Sequence, residues 1–125
     1  RAEAALRASE ARLRAALDAA RLGIWEHDLA AGRVRLDERA QAHYALDADV
    51  GMDEVTARIH PEDLPRVGAE MQAALDPARR APVRTEYRVV PPEGPARWLR
   101  VDGEVEFDGP GPDAAPVRGV GTVHD

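Results

Sequence analysis

From residue 2 to residue 21 the chain is rich in Ala, Leu, Glu and Arg and free of Gly and Pro, which predicts a helix. Leu6, Leu13, Leu17 and Ala20 fall near a and d positions of a heptad, and Glu10 interrupts the seam, so a coiled coil built on it would be short. The same stripe suits a solvated amphipathic helix packed on its own domain, with Ser9 able to cap a fresh start within it. Gly23 is the expected stop. Residues 24–29 then alternate, with Trp25, His27 and Leu29 on one face and Ile24, Glu26 and Asp28 on the other. Ala30, Ala31 and Gly32 supply a turn and residues 33–36 return, which makes a hairpin. Residues 37–44 and 52–59 read as short helices separated by a break at 47–51.

At His60-Pro61-Glu62-Asp63 the pattern changes to a helix start, because acidic side chains favour the free amides of a first turn and proline lacks a donor that would go unpaired there. Pro65 fits the first turn of a helix capped by Asp63. Leu64, Val67, Met71 and Leu75, with Gly68 and Ala74 beside them, form its buried stripe, and Asp76-Pro77 ends it. The last third is strands. Residues 83–90 place Thr85, Tyr87 and Val89 on one face. Residues 96–107 place Leu99, Val101, Val105 and Phe107 on one face and Trp98, Arg100, Asp102 and Glu104 on the other. After a loop at 108–116, residues 117–123 close the sheet. The order predicts an α+β fold: a five-stranded antiparallel sheet covered on one face by helices, preceded by an amphipathic helix at 1–21 and occupying residues 22–125.

Composition narrows the function classes. At 125 residues, 44% hydrophobic and 32% charged, the chain can bury one core. No window approaches the roughly 18 apolar residues of a membrane span, and no signal-peptide pattern is present, so no direct membrane contact is expected. Without cysteine there is no disulfide, thiolate site or cysteine nucleophile, and a reducing, cytoplasmic setting is expected. All 17 basic residues are Arg, and Lys and Asn are absent, as codon usage in a GC-rich genome would produce. Residues 1–22 carry five Arg against three acids and the remainder twelve against twenty, so no basic stripe for nucleic acid exists on the domain. His27, His43, His60 and His124 lack metal-site spacing, so no metal is expected. The abrupt start on a charged helix and the strand-like end suggest a piece of something longer.

Three motifs together carry a family resemblance: LGIWEHDL at residues 22–29, IHPEDLPRV at 59–67 and EYRVVPPEGPARWLRVDGEVE at 86–106. In this order and spacing they resemble the bacterial PAS fold-3-like subgroup, with its Gly-x-Trp-x-x-Asp first strand, His-Pro-Glu-Asp helix start and late Arg-Trp strand. The resemblance covers roughly residues 9–125. It implies a sensory or dimerisation module of a multidomain signalling protein, such as a sensor histidine kinase or a diguanylate cyclase, with no catalytic residue. It also implies a concavity between sheet and helices, whose candidate lining residues are Trp25, His27, Tyr44, Met71, Tyr87 and Leu99. Ordinary core packing accounts for the same residues. If His27 faces inward it could contact a ligand or sense pH. Flavin adducts of the LOV type and cysteine-linked chromophores require a cysteine that the chain lacks. The usual haem ligand on the central helix is missing, since residues 64–76 contain no histidine. No cofactor is therefore expected, and a small-molecule ligand remains open.

The resemblance further implies a homodimer through the N-terminal helix, with Leu6, Leu13, Leu17, Trp98 and Arg100 as interface candidates. A large aromatic on the polar face of its strand, as Trp98 is, wants a cover from this helix or a partner's. Asp125 matches the start of the Asp-Ile-Thr by which such domains lead to an output domain in the same parent chain. Two rivals stand beside this reading. One is a small α+β enzyme with a cone-shaped cavity and an acid/base pair, His27 with Asp28 or His60 with Asp63; the other is a purely protein-interacting module with a filled core.

Overall fold

The computed structural model describes residues 1–125. The helix α1 (Ala2–Ala19) is followed by β1 (Gly23–Asp28), β2 (Arg33–Leu36), α2 (Glu38–Tyr44), β3 (Asp49–Gly51) and α3 (Met52–Arg58). A 3₁₀ turn (Pro61–Asp63) then leads into α4 (Leu64–Leu75), β4 (Val83–Val89), β5 (Arg97–Phe107) and β6 (Pro116–His124). The strands form one antiparallel sheet in the order β3-β2-β1-β6-β5-β4. The sheet thus has six strands where the sequence pattern gave five. The extra one lies in the break at 47–51, three residues long and too short to display an alternating pattern, and is held by pairing of Asp49 to Gly51 against β2.

Each connection has a local cause. Asp37 accepts hydrogen bonds from the amides of Ala40 and Ile24, both at 3.0 Å, capping α2 and tying it to β1. Arg58 donates to the carbonyls of Tyr44 and Ala45 at 3.1 and 3.0 Å, which satisfies the end of α2 where Ala45 turns left-handed at φ 56°. Glu54 accepts from the Gly51 amide at the start of α3. Gly23 is not the end of α1. Arg21 takes the left-handed turn there, at φ 58°, and Gly23 already lies in β1, where a Cβ would stand 2.6 Å from the Ala40 amide nitrogen. α1 buries none of its residues. It is tied to α2 only at its far end, through Arg14 to Asp37 at 3.5 Å and Asp18 to Arg39 at 3.8 Å. The cis-packed arrangement of this helix is therefore not adopted.

The central strands leave room for one large side chain. The Trp25 ring rests over Gly103 of β5 and Gly119 of β6, while Gly121, the register partner of Trp25, admits close approach of the β5 backbone at Asp102 and Gly103. A Cβ at Gly103 would come within 2.6 Å of the ring, and one at Gly119 within 3.1 Å. The indole N–H donates to the Thr122 carbonyl at 3.0 Å, which pairs the one polar atom of the buried ring.

Asp63 departs from the expected helix cap. Its carboxylate makes no capping bond to α4; it accepts from the Arg88 backbone amide at 2.8 Å and from the Arg88 guanidinium at 2.9 and 3.1 Å. His60 donates its amide to the Arg88 carbonyl at 2.8 Å, and Val90 donates to the Arg58 carbonyl at 2.7 Å. The His-Pro-Glu-Asp segment therefore closes the free edge of β4. His60 itself is a turn residue, its Nδ1 accepting from the Glu62 amide.

Two measurements test these constraints. Gly103→Ala is expected to lower stability by about 1–3 kcal/mol through overpacking. Gly109→Ala, where a Cβ meets nothing within 4 Å, should change it by less than about 0.5 kcal/mol in the same denaturant titration; equal effects would remove the steric argument. The Arg88 side chain, and then its amide, hold the Asp63 carboxyl well below the usual carboxylate range. That stabilisation is present above the unfolded-state value of about 3.9 and lost as pH falls toward the folded value. Asp63→Asn should therefore be less stable than the parent from pH 5 to 8, with a deficit that shrinks below about pH 4. A deficit constant down to pH 3 would show that the charge is not the cause.

Candidate functional site

Between the sheet and the helices lies a cavity of about 290 Å³. Its floor comes from the sheet: Trp25 and His27 of β1, Val34 and Leu36 of β2, Val83, Thr85 and Tyr87 of β4, and Val101 of β5. The alternation of a strand puts these side chains on one face. Its roof is α4, through Leu64, Val67, Gly68, Met71 and Leu75, and α3, through Met52, Val55 and Thr56. The mouth opens between α3 and α4, where Thr56 and Gly68 are exposed and Met52 and Met71 half-buried. No Asp, Glu or Arg lines the cavity.

Tyr44 and Tyr87 bring its polar chemistry. Tyr44 is the last residue of α2, positioned by the Arg58 bond to its carbonyl, and Tyr87 faces it from β4. Their hydroxyls hydrogen-bond to each other, with ring centroids 6.4 Å apart and planes tilted by 42°. Burial pushes the Tyr44 phenol up to about 12, against the lowering effect of its bond to Tyr87. Burial raises the Tyr87 phenol well above its ordinary value, and Tyr44 adds to the rise. Both stay protonated at neutral pH. Burial likewise lowers the His27 imidazole below its ordinary value, opposed by the Asp28 carboxylate.

Of the candidate lining residues, the fold brings together Trp25, His27, Tyr44, Met71 and Tyr87. Leu99 is not at the cavity; it is only 1% exposed and packed into the core. Inward positions on a strand are nearly 7 Å apart, and it is Val101, one inward position further along β5, that reaches the space. Thr85 and Val101 were legible on the correct faces by alternation. The walls from β2 and α3 depend on how those elements fold over the sheet, which no local pattern states.

The outer face of the sheet carries Trp98 and Arg100, cross-strand from Arg88 and Glu86. Trp98 is 54% exposed, and its cover is the Arg88 guanidinium, 5.2 Å from the ring centroid, not α1. Leu6 and Leu13 are about 60% exposed and Leu17 half-buried. His27 and Asp28 point to opposite sides of β1, and Asp63 is committed to Arg88, so neither proposed acid/base pair is assembled. No group of His, Asp and Glu side chains is arranged to hold a metal ion.

Comparison with known proteins agrees with this architecture. A family model described as the PAS fold matches residues 37–123. A sensory box histidine kinase/response regulator from Burkholderia thailandensis is similar over 91% of this chain and 83% of its own, at 28% identity and a TM-score of 0.76. The N-terminal domain of a diguanylate cyclase with a PAS/PAC sensor from Marinobacter aquaeolei covers 83% of this chain and 94% of its own, at 16% identity and a TM-score of 0.68. A PAS domain from Colwellia psychrerythraea covers 91% and 94%, at 18% identity and a TM-score of 0.65. None of the curated proteins matches. With well over half of its length matched, the chain belongs to the PAS family.

Proposed function

We propose that this chain is the sensory module of a bacterial signalling protein, holding a small molecule between sheet and helices and relaying its presence through flanking helices to an output domain of the same parent chain. The observation that carries this reading is the apolar cavity of about 290 Å³ with its mouth between α3 and α4. A domain built only to pack would fill such a space, since interiors are close-packed and voids are destabilising. The similar proteins named as a histidine kinase and a diguanylate cyclase supply the kind of output to expect. The module works in the cytoplasm, makes and breaks no covalent bond, and needs neither a cofactor nor nucleic acid. No helix is long and apolar enough to cross a membrane.

The relay requires a partner for α1. A helix with a leucine stripe and no buried residue gains little from its own domain, and a second copy of the same stripe would cover it in a homodimer. Trp98 and Arg100, on the outer sheet face, extend the surface that such a dimer would use.

Two experiments test the two halves of the reading. Native mass spectrometry of the purified chain, with its absorption spectrum, should show bound small-molecule mass. Val67→Phe, which fills the cavity from α4, should abolish it while changing stability by no more than about 1 kcal/mol, because the added ring enters empty space; retention of the bound mass by the variant would move the ligand elsewhere. Leu6→Glu/Leu13→Glu should convert a dimer to a monomer in sedimentation equilibrium without moving the unfolding midpoint of the sheet domain. A dimer that survives both substitutions would place the contact off α1.

A further inference from the structure

The tyrosine pair does more than close one end of the cavity. A hydroxyl has one proton to give and two lone pairs to offer, so two hydroxyls bonded to each other use one of their two protons. Neither Tyr44 nor Tyr87 has another side-chain partner, and they are only 3% and 5% exposed. One phenolic proton is therefore left without an acceptor in the protein. An acceptor oxygen that has made one bond tolerates burial, whereas an unpaired buried donor is costly. Thr85, which lines the same cavity, accepts a long 3.4 Å bond from Arg66 and also keeps its own proton uncommitted.

The rest of the lining restricts what can take that proton. Arg66, which touches the wall only through its long bond to Thr85, is held by Glu70 and the Glu86 carbonyl, and Arg88 is held by Asp63 and Glu62. With no arginine lining the cavity, Arg66 already neutralised by Glu70 and the His27 imidazole disfavoured as a cation by burial, a carboxylate or phosphate would be desolvated without a full counter-charge. An apolar cavity of roughly 150 Å³ holds one benzene ring, so about 290 Å³ has room for two fused rings.

We infer that the cavity selects an uncharged, two-ring molecule carrying a neutral hydrogen-bond acceptor, such as an aryl ketone, whose oxygen takes the spare proton of the Tyr44–Tyr87 pair. This rests on the reading that the cavity holds a ligand. It is supported by the raised phenol values of both tyrosines, which keep the proton in place across the physiological range.

The test uses three probes of nearly one shape, titrated calorimetrically into the chain: 2-acetylnaphthalene, 2-isopropylnaphthalene and 2-naphthoate. The ratio of ketone to hydrocarbon affinity is compared between the parent and Tyr44→Phe/Tyr87→Phe, which cancels the difference in their hydration. That ratio should fall at least about tenfold in the double variant. It should persist in either single variant, because the remaining hydroxyl then has its proton free. Naphthoate should bind at least about a hundredfold more weakly than the ketone. The carbonyl stretch of bound 2-acetylnaphthalene gives a readout in the parent alone: it should lie below its value in alkane solution. An unchanged ratio, an alkane-like stretch or preferred binding of naphthoate would each overturn the inference while leaving a ligand-binding cavity in place. Failure of all three probes to bind would overturn the cavity reading and this one with it.

Discussion

The structure is organised around one steric accommodation: Trp25 lying over two glycines, Gly103 and Gly119. A ring of that size needs a floor without side chains, and Gly103 and Gly119 supply it from two neighbouring strands, with Gly121 letting those strands approach closely. Glycine inside a strand costs conformational entropy and packing, so the glycines destabilise the sheet locally and the buried indole offsets the cost. A fully buried aromatic side chain contributes on the order of 2–3 kcal/mol, and the indole N–H is paired with the Thr122 carbonyl. The floor of the cavity and the centre of the sheet are thus the same object. Removing the glycines would displace Trp25, and with it the surface on which any ligand lies.

The second constraint joins the cavity's roof to the outer face of the sheet. α4 begins at Leu64, immediately after Asp63, and its inner side chains Leu64, Val67 and Met71 line the cavity. Asp63 holds both the amide and the guanidinium of Arg88, whose side chain also covers Trp98 on the outer face. These bonds run in series from the start of α4 through Asp63 and Arg88 to the exposed tryptophan. The same bonds close the β4 edge, so one segment of sequence protects the sheet against edge pairing and links its two faces.

Much of this was legible in the sequence. Alternation put Trp25 with His27, and Thr85 with Tyr87, on shared faces and Trp98 with Arg100 on the polar face of its strand, because strand periodicity is strictly two; that His27 faces inward came from the fold. The amphipathic period of residues 64–75 placed the roof of the cavity. What was not legible had non-local causes. The Asp63 carboxylate satisfies nearby helix amides equally well on paper, and only the approach of Arg88, 25 residues later, decides against that. Leu99 and Val101 share a face, and which of them meets the cavity depends on how far the roof extends. The glycines did leave a trace: Gly119 and Gly121 are two residues apart in a strand, on one face, which signals a close approach by another group. β3 left none, since three residues carry no period.

The pairing of the first and last strands gives the proposed relay a short path. Gly23 pairs with Val123 and Trp25 with Gly121 in the central β1–β6 ladder. The turn out of α1 and the last residues of β6 therefore emerge side by side, one strand pair away from the ring that floors the cavity. A ligand that tilts Trp25 must either strain its bond to Thr122 or carry β6 with it, and β6 leads directly to His124 and Asp125. Because packed interiors pass displacement on instead of absorbing it, the proposed relay would reach both flanking segments through the same two strands. α1 buries none of its residues while the centre of the sheet is tightly packed, so the stability of the sheet does not depend on where the helix lies.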